Sequence, residues 1–197
     1  MSNTDREDEQ MREEKTTFGF WVYLMTDCML FAGLFATYAV LRNNTYGGPS
    51  GFELFNQKFV LTETLILLTS SFICGLVVIS ARKKDMDRLV RYLAITGLLG
   101  VIFLGMEIYE FRSLINEGNS WATSAFLSSF FVLVGTHGLH VFVGIVWMLL
   151  LQWQLLFKGF KPIVLTRVKL FGMFWHFLDV VWIFIFTFVY LLGGLKL

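Results

Sequence analysis

Residues Phe59–Lys84 read FVLTETLILLTSSFICGLVVISARKK, and this stretch decides the class of fold. From Phe59 to Ala81 it holds one charged residue, Glu63, and then stops on Arg82-Lys83-Lys84. About 20 consecutive apolar residues, some 30 Å of helix, are what a bilayer's hydrocarbon core demands. A barrel strand would be shorter and would alternate strictly between apolar and polar residues. The segment reads as a transmembrane helix with a basic anchor at its C-terminal end.

Four further runs repeat the pattern. Spans are expected at 18–41, 59–81, 93–111, 122–157 and 170–195, the fourth longer than one crossing needs and therefore tilted or protruding. The composition agrees: the 197-residue chain is 56% hydrophobic and only 16% charged, where soluble domains carry about a quarter charged residues. The expected fold class is an all-α integral membrane protein, a five-transmembrane-helix bundle. Residues 1–16 read as a polar, acid-rich, flexible tail, and residues 17–197 as a single transmembrane domain. No secretory leader is legible, because the first apolar run is too long and lacks a small-residue cleavage pattern.

Basic residues set the expected orientation. The connection between the second and third spans carries Arg82, Lys83, Lys84, Arg88 and Arg91, and that between the fourth and fifth carries Lys158, Lys161, Arg167 and Lys169. The opposite face has Arg42, Lys58, Arg112 and Lys196. Short basic loops stay in the cytoplasm, so the N-terminus is expected inside and the C-terminus outside.

Ionisable residues within the spans are the candidate functional groups. Counting along the helices places Asp27, His137, His140, His176 and Asp179 where one layer is conceivable, and Glu63, Glu107 and Glu110 towards the other face. Such groups are costly in lipid and should face the interior or a partner subunit, each with a hydrogen-bonding neighbour. For the three glutamates, Arg112 is a possible counter-charge. The spacing of His137 with His140, and of His176 with Asp179, leaves a metal site geometrically open. Polar clusters that fix helix register are the plainer reading.

Gly33 with Ala36, Gly97 with Gly100, and Gly135, Gly138 and Gly144 are expected to permit close helix approach. Trp21, Tyr23, Tyr38, Tyr109, Trp121 and Tyr190 fall near span ends, as interfacial anchors do. Cys28 and Cys74 read as buried free thiols, in the absence of any CxxC or Cys/His cluster. No nucleotide loop, dinucleotide fingerprint, nucleophile elbow or HExxH is present.

Four segments carry a resemblance: Gly19-Phe20-Trp21-Val22-Tyr23-Leu24-Met25-Thr26-Asp27-Cys28, Glu107-Ile108-Tyr109-Glu110-Phe111, Gly135-Thr136-His137-Gly138-Leu139-His140-Val141, and Phe174-Trp175-His176-Phe177-Leu178-Asp179-Val180-Val181-Trp182. Together they resemble subunit III of the haem–copper respiratory oxidases, over essentially everything from Phe18 onward. The five-span form looks most like the quinol-oxidising bo3 branch. Asp27 matches the position where seven-span members carry a buried, carbodiimide-reactive glutamate.

The resemblance implies a non-catalytic subunit of a proton-pumping terminal quinol oxidase in a bacterial inner membrane. Haem b, haem o3, copper and quinol are then expected in the partner subunit I, with none of them held by this chain. Expected partners are subunit I principally, subunits II and IV, and phospholipid, with no nucleic acid. Asp27, Glu63, Glu107, Glu110, His137, His140, His176 and Asp179 become architectural or proton-modulating groups. Two other readings compete: a small proton-coupled transporter, argued from Asp27, Glu63 and Glu107, and a membrane metalloenzyme using the three histidines. No clear inverted repeat supports the former, and the short ligand inventory weakens the latter.

Overall fold

The computed structural model describes residues 3–45, 47, 54 and 56–193. Five long helices carry the chain: α1 (Asn3–Leu41), α2 (Gln57–Arg82), α3 (Met86–Asn116), α4 (Ala125–Lys158) and α5 (Pro162–Ile185). The last continues as a π-helical segment, Phe186–Leu191. All five are long and apolar enough to cross a membrane, and no strand occurs among the described residues. The end of the expected fifth span, beyond Gly193, falls outside the described residues.

Helix starts follow local chemistry. Asn56, Asp85 and Ser124 stand in extended backbone, and their side chains accept from the amides of Phe59, Arg88 and Leu127. Pro162 opens α5, where its missing N–H costs nothing. Gly159, with φ +62°, turns the chain between α4 and α5. α1 runs unbroken from Asn3 through the acid-rich segment into the first span. No Gly or Pro interrupts residues 3–18, and Glu, Arg, Gln and Lys are good helix formers. Glu13 also reaches Lys169 of α5 at 3.0 Å.

α5 is the hub. It packs on α1, α2 and α4, while α3 closes the ring between α2 and α4 and α1 lies against α4 and α5. Trp175 occupies the space that Gly100 and Gly144 leave open, since a Cβ at either would run into its ring. Gly97 gives room to Met148, and Gly138 to the Glu107 carboxyl. Gly33 corrects the small-residue reading, because nothing lies within 4 Å of where its Cβ would be. The cysteine reading is corrected at Cys28, which is exposed on the protein surface, while Cys74 is buried.

The aromatic belt also needs correction. Trp21, Tyr23, Tyr109 and Trp121 are exposed, as anchors would be, but Tyr38 and Tyr190 are buried at 3% and 0%. For Tyr190 the cause is the π segment. Its extra residue per turn rotates the following side chains, and the Leu192 amide donates to the Thr187 carbonyl five residues back.

Candidate functional site

Of the five residues placed in one layer by counting, Asp27 pairs with His140, His176 goes with Asp179, and His137 stands alone, while the three glutamates gather as a group of their own. The first group joins α1 to α4. The His140 Nε2 and Asp27 Oδ2 atoms are 3.8 Å apart, within ion-pair reach but beyond a hydrogen bond. His140 Nδ1 lies 2.7 Å from the Thr136 carbonyl, which can only accept. Nδ1 therefore carries the proton, and Nε2 is left facing the carboxyl. Phe31 packs on the His140 ring with centroids 5.3 Å apart. Tyr23, one turn before Asp27, is within its electrostatic reach.

The second group gathers Glu63 of α2 with Glu107 and Glu110 of α3, buried to 0%, 3% and 8% exposure. They lie close enough to act on one another electrostatically. A cation was one possible partner, but Arg112 is exposed and makes no ion pair with them among the described residues. Two positions beyond Glu110 is about 200° around the helix, which turns Arg112 away. The partner is Tyr190, whose hydroxyl donates to Glu110 Oε2 at 2.7 Å.

His137 sits apart from both, fully buried among aromatic rings. Its centroid is 5.2 Å from Trp182, 5.9 Å from Phe103 in an edge contact, and 6.4 Å from Phe31. Neither ring nitrogen has a hydrogen-bond partner among the described residues.

The third group lies between α2 and α5. Ser71 Oγ and His176 Nδ1 are 2.8 Å apart, and Asp179 is within electrostatic reach of both. Asp179 is 9% exposed, yet His176 is exposed on the surface of the chain. Sequence counting put His176 at Asp27's depth but not on its side. α1 covers the face of α5 that carries Phe177 and Phe184, whereas His176 and Asp179 turn towards α2.

The sequence reading missed the residues that tie α5 to its neighbours. Trp175 Nε1 donates to Ser70 Oγ, which donates on to the Thr96 carbonyl, so one relay links α5, α2 and α3. Trp182 Nε1 donates to Thr64 Oγ1. The available signal was the tryptophans themselves, whose indole N–H requires an acceptor when buried. The four residues whose spacing leaves a metal site open, His137, His140, His176 and Asp179, go to three places. No cluster of three or more metal-binding side chains occurs among the described residues.

The architecture defines a five-span helical membrane protein whose polar side chains act between helices. The chain belongs to the cytochrome c oxidase subunit III family, whose model matches residues 5–194. It is 55% identical over 180 residues to cytochrome bo(3) ubiquinol oxidase subunit 3 of Pseudomonas aeruginosa, covering 91% of this chain and 86% of that one. Quinol oxidase subunit 3 of Bacillus subtilis is 45% identical over 192 residues, covering 98% and 94%. Cytochrome c oxidase subunit 3 of Bacillus sp. PS3 is 44% identical over 182 residues, covering 92% and 88%.

Proposed function

We propose that this chain is the third, non-catalytic subunit of a terminal quinol oxidase, in which quinol oxidation drives reduction of oxygen to water. The observation that carries the reading is its near full-length similarity to subunits named for quinol oxidases, at up to 55% identity. The transporter reading is set aside on the same ground. Haems b and o3 and copper belong on this reading to subunit I, beside which the chain packs, with subunits II and IV completing the complex. Its own residues hold the bundle in register: Trp175, Trp182 and Tyr190 each donate across a helix interface.

The Asp27–His140 pair is the group best suited to support proton uptake. Nε2 faces the Asp27 carboxyl at 3.8 Å and is presented to it by the Thr136 bond to Nδ1. The protein lies in a bacterial inner membrane with its N-terminus inside, an orientation supported by the basic residues of the short α2–α3 and α4–α5 connections. Phospholipid covers the remaining apolar surface. Purification of the tagged chain from native membranes tests the assignment. Co-purification of a haem-containing large subunit with quinol oxidase activity is expected, and a colourless homo-oligomer overturns it.

A further inference from the structure

An ionisable side chain at mid-membrane normally faces the interior of its own bundle. His176 does not. It lies on the outer surface of α5, at the wall of an open groove of about 400 Å³ that runs along α2 and α5. Leu68, Phe72, Gly75 and Ile79 of α2 line the rest, and Ser71 and Asp179 form its polar floor. Ser71 is preceded by 14 residues of α2 and followed by 11, about 21 and 16 Å of helix towards the two faces. The polar floor is thus about as far from either membrane surface as the half-thickness of the hydrocarbon, roughly 15 Å, allows.

We propose that this groove is the docking site of a transmembrane helix from another subunit, presenting a hydroxyl or carboxamide side chain to Ser71, His176 and Asp179. The inference rests on the reading of the chain as part of an oxidase complex and adds to it the face and the chemistry of one contact. Hydrogen-bond complementarity selects the occupant. Asp179 lines the groove beside Ser71, and its buried Oδ1 has no hydrogen-bond partner among the described residues, so the carboxyl is not fully satisfied within this chain. His176 uses Nδ1 on Ser71, so Nε2 is the atom free to meet a partner in the groove. Whichever way the Ser71–His176 proton points, a group that both donates and accepts matches Nε2, and hydroxyls and carboxamides do both.

An acyl chain can fill the groove but offers no hydrogen bond, and a lipid headgroup belongs at the interface, far from this depth. A helix meets both demands, since helix association within lipid uses close packing and interhelical hydrogen bonds. Gly75 permits the approach, for the space over its Cα is open to 4 Å. Phe72, 70% exposed, stands at the rim as the side chain a neighbour would cover.

The test places a photoreactive benzoyl-phenylalanine at Phe72 in the full complex and irradiates it in native membranes. The expected product is a single adduct to another subunit, mapped by mass spectrometry to a membrane segment bearing Ser, Thr, Asn or Gln. Combining S71A, H176A and D179N should cut its yield about fivefold, as loss of interhelical hydrogen bonds would. Gly75→Trp, which fills the groove and leaves the polar groups in place, should abolish it. Lipid adducts alone, an adduct to a second copy of this chain, or a yield unmoved by these variants overturns the proposal. An intact haem-containing complex with only lipid adducts rejects the groove and spares the proposed function. Failure of any other subunit to co-purify overturns both.

Discussion

The glutamate cluster and the Ser71–His176–Asp179 group both place ionisable side chains within the spans and use them in opposite ways. Glu63, Glu107 and Glu110 are sealed between α2 and α3, with Tyr190 of the π segment donating into them. The second group opens sideways onto a groove, with His176 exposed. A polar residue within a membrane span therefore does not by itself mark the interior. What distinguishes the two is azimuth, because a sealed group stabilises the bundle and an open one awaits a neighbour.

Overpacking the sealed interior should break the comparison most severely. Gly100→Leu drives a side chain into the Trp175 ring, whose relay to Ser70 and Thr96 holds three helices. A loss of about 1–3 kcal/mol or more is expected for overpacking, against less than ~0.5 kcal/mol for Gly33→Leu in open space. Thermal denaturation of the two purified subunits in detergent checks this, and equal destabilisation would mean the packing around Trp175 is not what orders the core.

Tyr190→Phe probes the polar half of the same interior. It leaves the ring and removes the donor to Glu110, so a loss of roughly 1–3 kcal/mol is expected for a buried acceptor left unsatisfied. Asp179→Ala should reverse the pattern, with a smaller effect on the isolated subunit than Tyr190→Phe and a larger one on retention of the chain in the complex. Denaturation midpoints and subunit stoichiometry, measured together, decide between the two roles.

Asp27→Asn should do less. The amide preserves shape and some hydrogen bonding beside His140, so assembly and oxygen reduction should persist with at most a modest decline in sustained turnover. Abolished turnover in a fully assembled, haem-loaded complex would make the chain an obligatory proton carrier. Least perturbing is Lys83→Cys in the tight α2–α3 turn, which an impermeant thiol reagent should leave unlabelled in intact cells. Its counterpart at Ser50, expected outside, lies outside the described residues.

All eight candidate residues could be picked out from sequence, since an ionisable group within an apolar run is conspicuous. Their grouping could not. Asp27 and His140 were expected in one layer and do meet, but His176 and Asp179 share that depth and lie elsewhere. Arg112 was the nearest cation by count, yet the helical turn points it outward, while Tyr190, read as an anchor, is the true neighbour of Glu110.

By itself the sequence determined the five spans, and the residues written at Asn56, Asp85 and Ser124 cap the helices that follow them. Hydropathy, loop charge and cap chemistry are local properties, and they act within a few residues of where they are written. Only the tertiary structure decided which polar groups are sealed, which are paired and which look outward. That choice depends on the rotation of each helix about its own axis, set by how Trp175 seats against Gly100 and Gly144 and by the π turns before Tyr190. No run of hydropathy records such a rotation, because packing between segments distant in sequence sets it.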